Sequence, residues 1–240
     1  MKQTAQKLVS ANRTLARACG GLRFSPPVAF VYNPAHYARS SIDSYFGKYG
    51  NGQKRVLFLG MNPGPWGMAQ TGIPFGEVNA ARDFLKLGGI VGKPPMEHPK
   101  RRIDGFDCPR SEVSGARLWA MFARKFGAAE VFFGGHFVLN YCPLLFLAAT
   151  GANITPDKLA KSESAPLFAA CDIFLRAAVD ALRPHYLIGI GAFAEKRLRL
   201  LFDNGGAVIG KILHPSPASP AANRNFAQTA EQQLIDIGIW

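Results

Sequence analysis

Three side chains able to do chemistry stand where short apolar runs give out. Asn62 follows Val56-Leu-Phe-Leu59 by way of Gly60 and Met61, Asn140 follows Phe137-Val-Leu139, and His214 follows the run that ends at Leu213. An amide presents donor and acceptor together and orients a water without deprotonating it. An imidazole can donate to charge that develops in a transition state. In an open α/β sheet, ligands bind beyond the carboxyl ends of the strands, so these groups would converge on one rim. No carboxylate stands among them. Each residue alone has an ordinary reading: Asn62-Pro-Gly64 as a turn, Asn140 as a strand-end cap, His214 as a packed or surface histidine.

The elements that must hold this rim follow from periodicity. Leu8, Ala11, Leu15, Ala16 and Cys19 recur at helical spacing, and Gly20-Gly21 closes the segment. Residues 25 to 52 read as turns and short pieces. Val56–Leu59 is a buried strand, and the Gly- and Pro-rich stretch from 60 to 113 allows one short helix, Val78 to Leu87. Ser114 is expected to cap a helix carrying Leu118, Met121 and Phe122 and stopped by Gly127. Val131–Phe133 and Phe137–Leu139 read as strands around Gly134-Gly135. A helix through Leu167 and Leu182 ends before Pro184, and strand Tyr186–Ile190, helix Phe193–Phe202, strand Ala207–Leu213 and helix Asn223–Ile237 follow. The expected fold is α/β: one domain over residues 1–240, with a central four-stranded, mostly parallel sheet flanked by helices. Residues 1–24 form a helical segment packed on it.

Composition narrows the partner. The 240 residues are 48% hydrophobic, enough for a core without metal or disulfide staples, and 28 Lys+Arg against 16 Asp+Glu give a net charge of +12. That balance implies a polyanionic partner. Four scattered cysteines offer neither a disulfide frame nor a metal site, no apolar run reaches membrane length, and the first ten residues do not form a signal peptide. A soluble intracellular protein with reduced thiols and no cofactor or metal is expected. Gly189-x-Gly191-x-x-Ala194 mimics a dinucleotide fingerprint but lacks the acidic residue about twenty positions on.

The combination of motifs is more specific than any one. Gly60-Met-Asn-Pro-Gly-Pro-Trp-Gly-Met-Ala-Gln-Thr-Gly-Ile-Pro-Phe-Gly-Glu-Val78, Phe137-Val-Leu-Asn-Tyr-Cys-Pro-Leu-Leu145 and His214-Pro-Ser-Pro217 occur in that order, with Asp107-Cys-Pro-Arg-Ser-Glu-Val-Ser-Gly115 between the first two. Together they closely resemble the single-strand-selective monofunctional uracil-DNA glycosylases, within the uracil-DNA glycosylase superfamily. The iron–sulfur type of the superfamily needs four clustered cysteines, which this chain lacks.

The resemblance implies hydrolysis of the N-glycosidic bond of uracil and 5-hydroxymethyluracil in single- and double-stranded DNA, leaving an abasic site. Asn62 would hold the attacking water and His214 would stabilise the departing base. Met61, Gly64 and Met68 would line the pocket, Phe75 would stack on the flipped base and Asn140 would read its edge. Ser216, Pro217, Ala218, Ser219, Pro220, Asn223 and Arg224 resemble the loop that wedges into DNA. Vertebrate members carry an Arg-Asn pair where this chain has Ala218-Ser219. Strict uracil enzymes of the superfamily carry a tyrosine at the position of Gly64, which blocks the C5 side of the base. Gly64 therefore implies an open C5 side holding water. The expected partner is DNA containing uracil or 5-modified uracil, bound by a monomer away from membranes. The expected location is cytoplasmic and nucleoid-associated in a bacterium or nuclear in a eukaryote. The alternative is a catalytically weak, basic nucleic-acid-binding α/β protein.

Overall fold

The structure, a computed structural model, describes residues 2–240. Helix α1 (Gln3–Gly20) buries Leu8, Leu15 and Cys19 on its apolar face. Strand β1 (Phe30–Tyr32), helix α2 (Pro34–Tyr37) and helix α3 (Arg39–Tyr49) occupy the stretch expected to be turns and short pieces. Helix α3 is the substantive addition. Ile42, Tyr45, Phe46 and Tyr49 lie one helical turn apart and all are buried, although serines and a glycine dilute the pattern.

Strand β2 (Val56–Gly60) is buried along its whole length. The Gly- and Pro-rich stretch beyond it holds only helix α4 (Met68–Thr71), a π-helical piece at Ala80–Phe84 and a 3-10 turn at Gly105–Asp107. Helix α5 (Val113–Phe126) follows with Glu112 at its N-cap position. Ser114 therefore sits inside the first turn and is not the cap. Val131–Phe133 is not a strand either, because it belongs to helix α6 (Ala129–Gly135). Ala129, Phe132 and Phe133 are the buried positions, an i, i+3, i+4 pattern, while Val131 is 60% exposed. The Phe132 ring stacks on Phe122 of α5 at 4.3 Å, so packing outweighs the strand preference of Val-Phe-Phe.

Strand β3 (His136–Asn140), strands β4 (Leu145–Leu147) and β5 (Asn153–Ile154), helix α7 (Lys161–Leu182), strand β6 (Tyr186–Ile190), helix α8 (Ala192–Phe202), strand β7 (Val208–Ile212) and helix α9 (Pro220–Asp236) complete the order. The main sheet runs β3-β2-β6-β7 with every pairing parallel. A separate antiparallel sheet, β1-β4-β5, escaped the sequence pattern because its strands are only two or three residues long. Helix α1 packs against α7 and α3. Gly189 is explained here: a Cβ at this position would strike the backbone of Glu195, so the glycine lets α8 lie directly on β6.

Candidate active site

The carboxyl ends of the parallel strands converge as expected. Gly60 ends β2 in register with Asn140, the last residue of β3. Ile190 of β6 pairs with Ile212 of β7, and His214 lies two residues beyond. At this rim opens a cleft of about 510 Å³ that Met61, Asn62, Gly64, Phe75, Asn140, His214, Ser216 and Pro217 all line. Met68 is reached through Asn140, whose Nδ2 donates to the Met68 sulfur at 3.2 Å.

Local structure fixes each group. The Asn62 Nδ2 donates to the carbonyl of Leu144 at 3.2 Å, which leaves its Oδ1 as the free end of the amide. The Asn140 Oδ1 is buried and receives no hydrogen bond from the described residues, an arrangement that costs about 1–3 kcal/mol until a donor arrives. Gly60 must be a glycine, because a Cβ there would collide with Asn140 Oδ1 and the Phe75 ring. The backbone N–H of Ser216 donates to His214 Nδ1 at 3.1 Å, so in the neutral ring Nε2 carries the proton. Burial holds the His214 imidazole below its ordinary pKa.

Phe75 has φ of 52°, a left-handed conformation that costs a side-chain-bearing residue about 1–2 kcal/mol. Its carbonyl takes hydrogen bonds from Trp119 Nε1 at 3.0 Å and from the N–H of Glu77 at 2.8 Å. Gly115 leaves room for that carbonyl, where a Cβ would collide. The ring lines the cleft 6.2 Å from the His214 ring.

The expectation of a rim without a carboxylate is overturned. Glu112 lines the same cleft, and its carboxyl lies against Gly64 and Gly67. Burial, with the nearby Glu77 carboxylate adding to it, pushes the Glu112 carboxyl up to about 7. The open, water-holding space expected beside Gly64 is therefore occupied by this side chain.

The expected wedge divides in two. Ser216 to Ser219 form a loop, whereas Pro220, Asn223 and Arg224 open helix α9, capped by the Ser219 hydroxyl, which accepts from the N–H of Ala222. Pro217 and Ala218 are exposed at the loop tip. Both ends of the Asn223 amide brace this loop: Nδ2 donates to the Pro217 carbonyl at 2.8 Å, and Oδ1 accepts from Arg117 at 3.0 Å. Arg117 also donates to the carbonyl of Pro215.

A family model described as the uracil DNA glycosylase superfamily matches residues 47–235. The chain belongs to that superfamily. Within it, this glycosylase is 48% identical over 220 residues to the single-strand selective monofunctional uracil DNA glycosylase of Bos taurus, covering 91% of this chain and 81% of the relative. The enzyme of the same name from Rattus norvegicus is 47% identical over 220 residues, covering 91% and 79%. The crystal structure of wild-type SMUG2 from Pedobacter heparinus matches with a TM-score of 0.68 at 20% identity, covering 100% of this chain and 96% of that one, which is a likeness of fold.

Three features of the glycosylase went unread in its sequence. Glu112 lies in the Asp107–Gly115 motif, where its residue type alone gives no sign that it turns into the cleft. Arg117 pins the loop from a neighbouring helix. Trp66 also lines the cleft and is covered by Arg110 at 4.6 Å and Arg101 at 5.2 Å, which gathers cationic charge at the cleft mouth.

Proposed function

We propose that the chain is a monofunctional uracil-DNA glycosylase that hydrolyses the N-glycosidic bond of uracil and 5-hydroxymethyluracil in single- and double-stranded DNA and leaves an abasic site. The observation that carries the base assignment is the divided Asn140 amide. Among the described residues its buried Oδ1 lacks a donor, and its Nδ2 is held only by a thioether, a weak acceptor. Uracil supplies what this amide wants: N3–H donates to Oδ1, and O4 accepts from Nδ2. Cytosine reverses both groups, at about 1–3 kcal/mol for a bidentate pair.

The target base must leave the stack to reach the cleft. Phe75 then stacks on it, an interaction worth about 1–3 kcal/mol and indifferent to base identity. As the glycosidic bond breaks, charge moves onto the ring and O2. The His214 Nε2–H stabilises that charge as it develops, which is binding specific to the transition state. The sugar becomes oxocarbenium-like, so a water oriented by the Asn62 Oδ1 is a sufficient nucleophile. The loop from Ser216 to Ser219, braced by Asn223 and Arg117, fills the gap left by the flipped nucleotide. Pro220 and Arg224 lie beside the duplex at the start of α9. Arg101 and Arg110, which cover the Trp66 ring at the cleft, hold phosphates together with Lys100 and Arg102. The chain acts on DNA as a monomer.

The test is release of free base from labelled oligonucleotides, single- and double-stranded, containing uracil or 5-hydroxymethyluracil. Release with an intact strand supports the reading. Binding without release would favour the catalytically weak binder instead.

A further inference from the structure

The Glu112 carboxyl stands where a side chain at residue 64 would project. A Cβ built on Gly64 would collide with Glu112 Oε1, and one on Gly67 with Oε2. The carboxyl therefore lies flat on two glycines, in a cleft shared with Asn140, Phe75 and His214. With the base oriented by Asn140 as proposed above and residue 64 at its C5 side, as the family resemblance implies, Glu112 forms that wall. That wall is polar, and it is neither empty nor aromatic.

We infer that Glu112 is a specificity-determining residue whose carboxyl reads the 5-substituent of the flipped base, accepting bases with a hydrogen-bonding group there and rejecting purely apolar ones. This inference rests on the function proposed above and adds the group that selects. The carboxyl receives no hydrogen bond from the described residues, and only burial and the charge of Glu77 act on it. A side chain so placed has hydrogen-bonding capacity to spare toward the cleft. Near neutral pH it is present in both protonation states, since its pKa lies at about 7, so it can donate to or accept from a hydroxyl. A 5-hydroxymethyl group can meet either state, whereas a methyl or ethyl group desolvates the carboxyl and returns nothing. Uracil, with hydrogen at C5, leaves the carboxyl solvated and is accepted.

5-Ethyluracil separates size from polarity, because it matches 5-hydroxymethyluracil atom for atom except that carbon replaces oxygen. Excision rates of uracil, 5-hydroxymethyluracil, 5-ethyluracil and thymine are compared in single-stranded oligonucleotides for the full chain and for Glu112→Gln and Glu112→Leu. Each rate is divided by the same preparation's rate on uracil, which cancels any loss of folded protein. The wild type should favour 5-hydroxymethyluracil over 5-ethyluracil by about tenfold or more. Glu112→Gln, which keeps a donor and an acceptor, should retain that preference, and Glu112→Leu should lose it. Equal wild-type rates on the two isosteres would overturn the inference whatever the variants do, as would an unchanged preference in Glu112→Leu. Failure of the wild type to release uracil at all would instead overturn the proposed function.

Discussion

The backbone N–H of Ser216 and Nδ1 of His214 lie 3.1 Å apart, and this one hydrogen bond decides which imidazole nitrogen faces the cleft as a donor. Burial lowers the ring's pKa, so protonation of the ring is displaced below the ordinary histidine value of about 6.5. Turnover on uracil should therefore decline, as pH falls, with a midpoint below that value. A pH–rate profile under single-turnover conditions checks this, and a decline centred at or above the ordinary histidine value would contradict a neutral donor.

His214→Ala and Asn62→Ala should each lower turnover by about 100-fold or more, with DNA affinity nearly unchanged. Both groups act mainly on species that exist during bond cleavage. Near-normal single-turnover rates with weakened binding would reassign them to DNA contact.

Asn140→Asp replaces the donor facing O4 with an acceptor and leaves a second acceptor beside it. Excision of uracil should fall by at least about tenfold, consistent with about 1–3 kcal/mol for the lost bidentate pair. Competition between uracil- and cytosine-containing oligonucleotides measures the accompanying loss of discrimination.

How much of this was legible in sequence depends on the kind of evidence each residue left. Asn62, Asn140 and His214 could be found because a parallel sheet delivers strand ends to one rim, and apolar runs mark strand ends. Glu112 could not be found that way. It precedes a helix, where a carboxylate usually serves the helix terminus, and only the tertiary fold turns it toward Gly64. Arg117 and Trp66 are invisible for the same reason, since their partners lie on distant segments. Helix α6 reads as a strand because Val-Phe-Phe favours strands locally, whereas the helical face of Ala129, Phe132 and Phe133 is set by packing on the neighbouring Phe122.

Glu112 also shapes stability. Its folded pKa of about 7 is raised above the ordinary 4.5, so the folded state keeps a proton that the unfolded chain releases. The resulting contribution is fully present below the ordinary value and is lost as pH rises through the folded one, by at most about 3 kcal/mol. Glu112→Gln removes this dependence. The difference in unfolding free energy between variant and wild type should therefore shift in the variant's favour from pH 4.5 to 7. Denaturant titrations across that window measure it, and a constant difference would place the carboxyl in water. Comparison with the variant also cancels His136, whose burial lowers its pKa to about 4 and works in the opposite direction.

The pairing of Gly64 with Glu112 makes a sharper prediction in a double variant. Gly64 is not among the glycines with positive φ, so its backbone tolerates a side chain and only space demands glycine. In Gly64→Tyr the ring must take the volume that the carboxyl fills, forcing Glu112 out of the wall or the ring into the base site. Excision of both uracil and 5-hydroxymethyluracil should therefore drop. Adding Glu112→Ala vacates that volume and lets the ring close the C5 side, so uracil excision should recover while 5-hydroxymethyluracil stays excluded. Residues in direct contact are expected to be non-additive, and the coupling should appear as recovery of uracil activity beyond the sum of the single effects. If the double variant is no more active on uracil than Gly64→Tyr alone, the tyrosine harms the site by some route other than collision with Glu112.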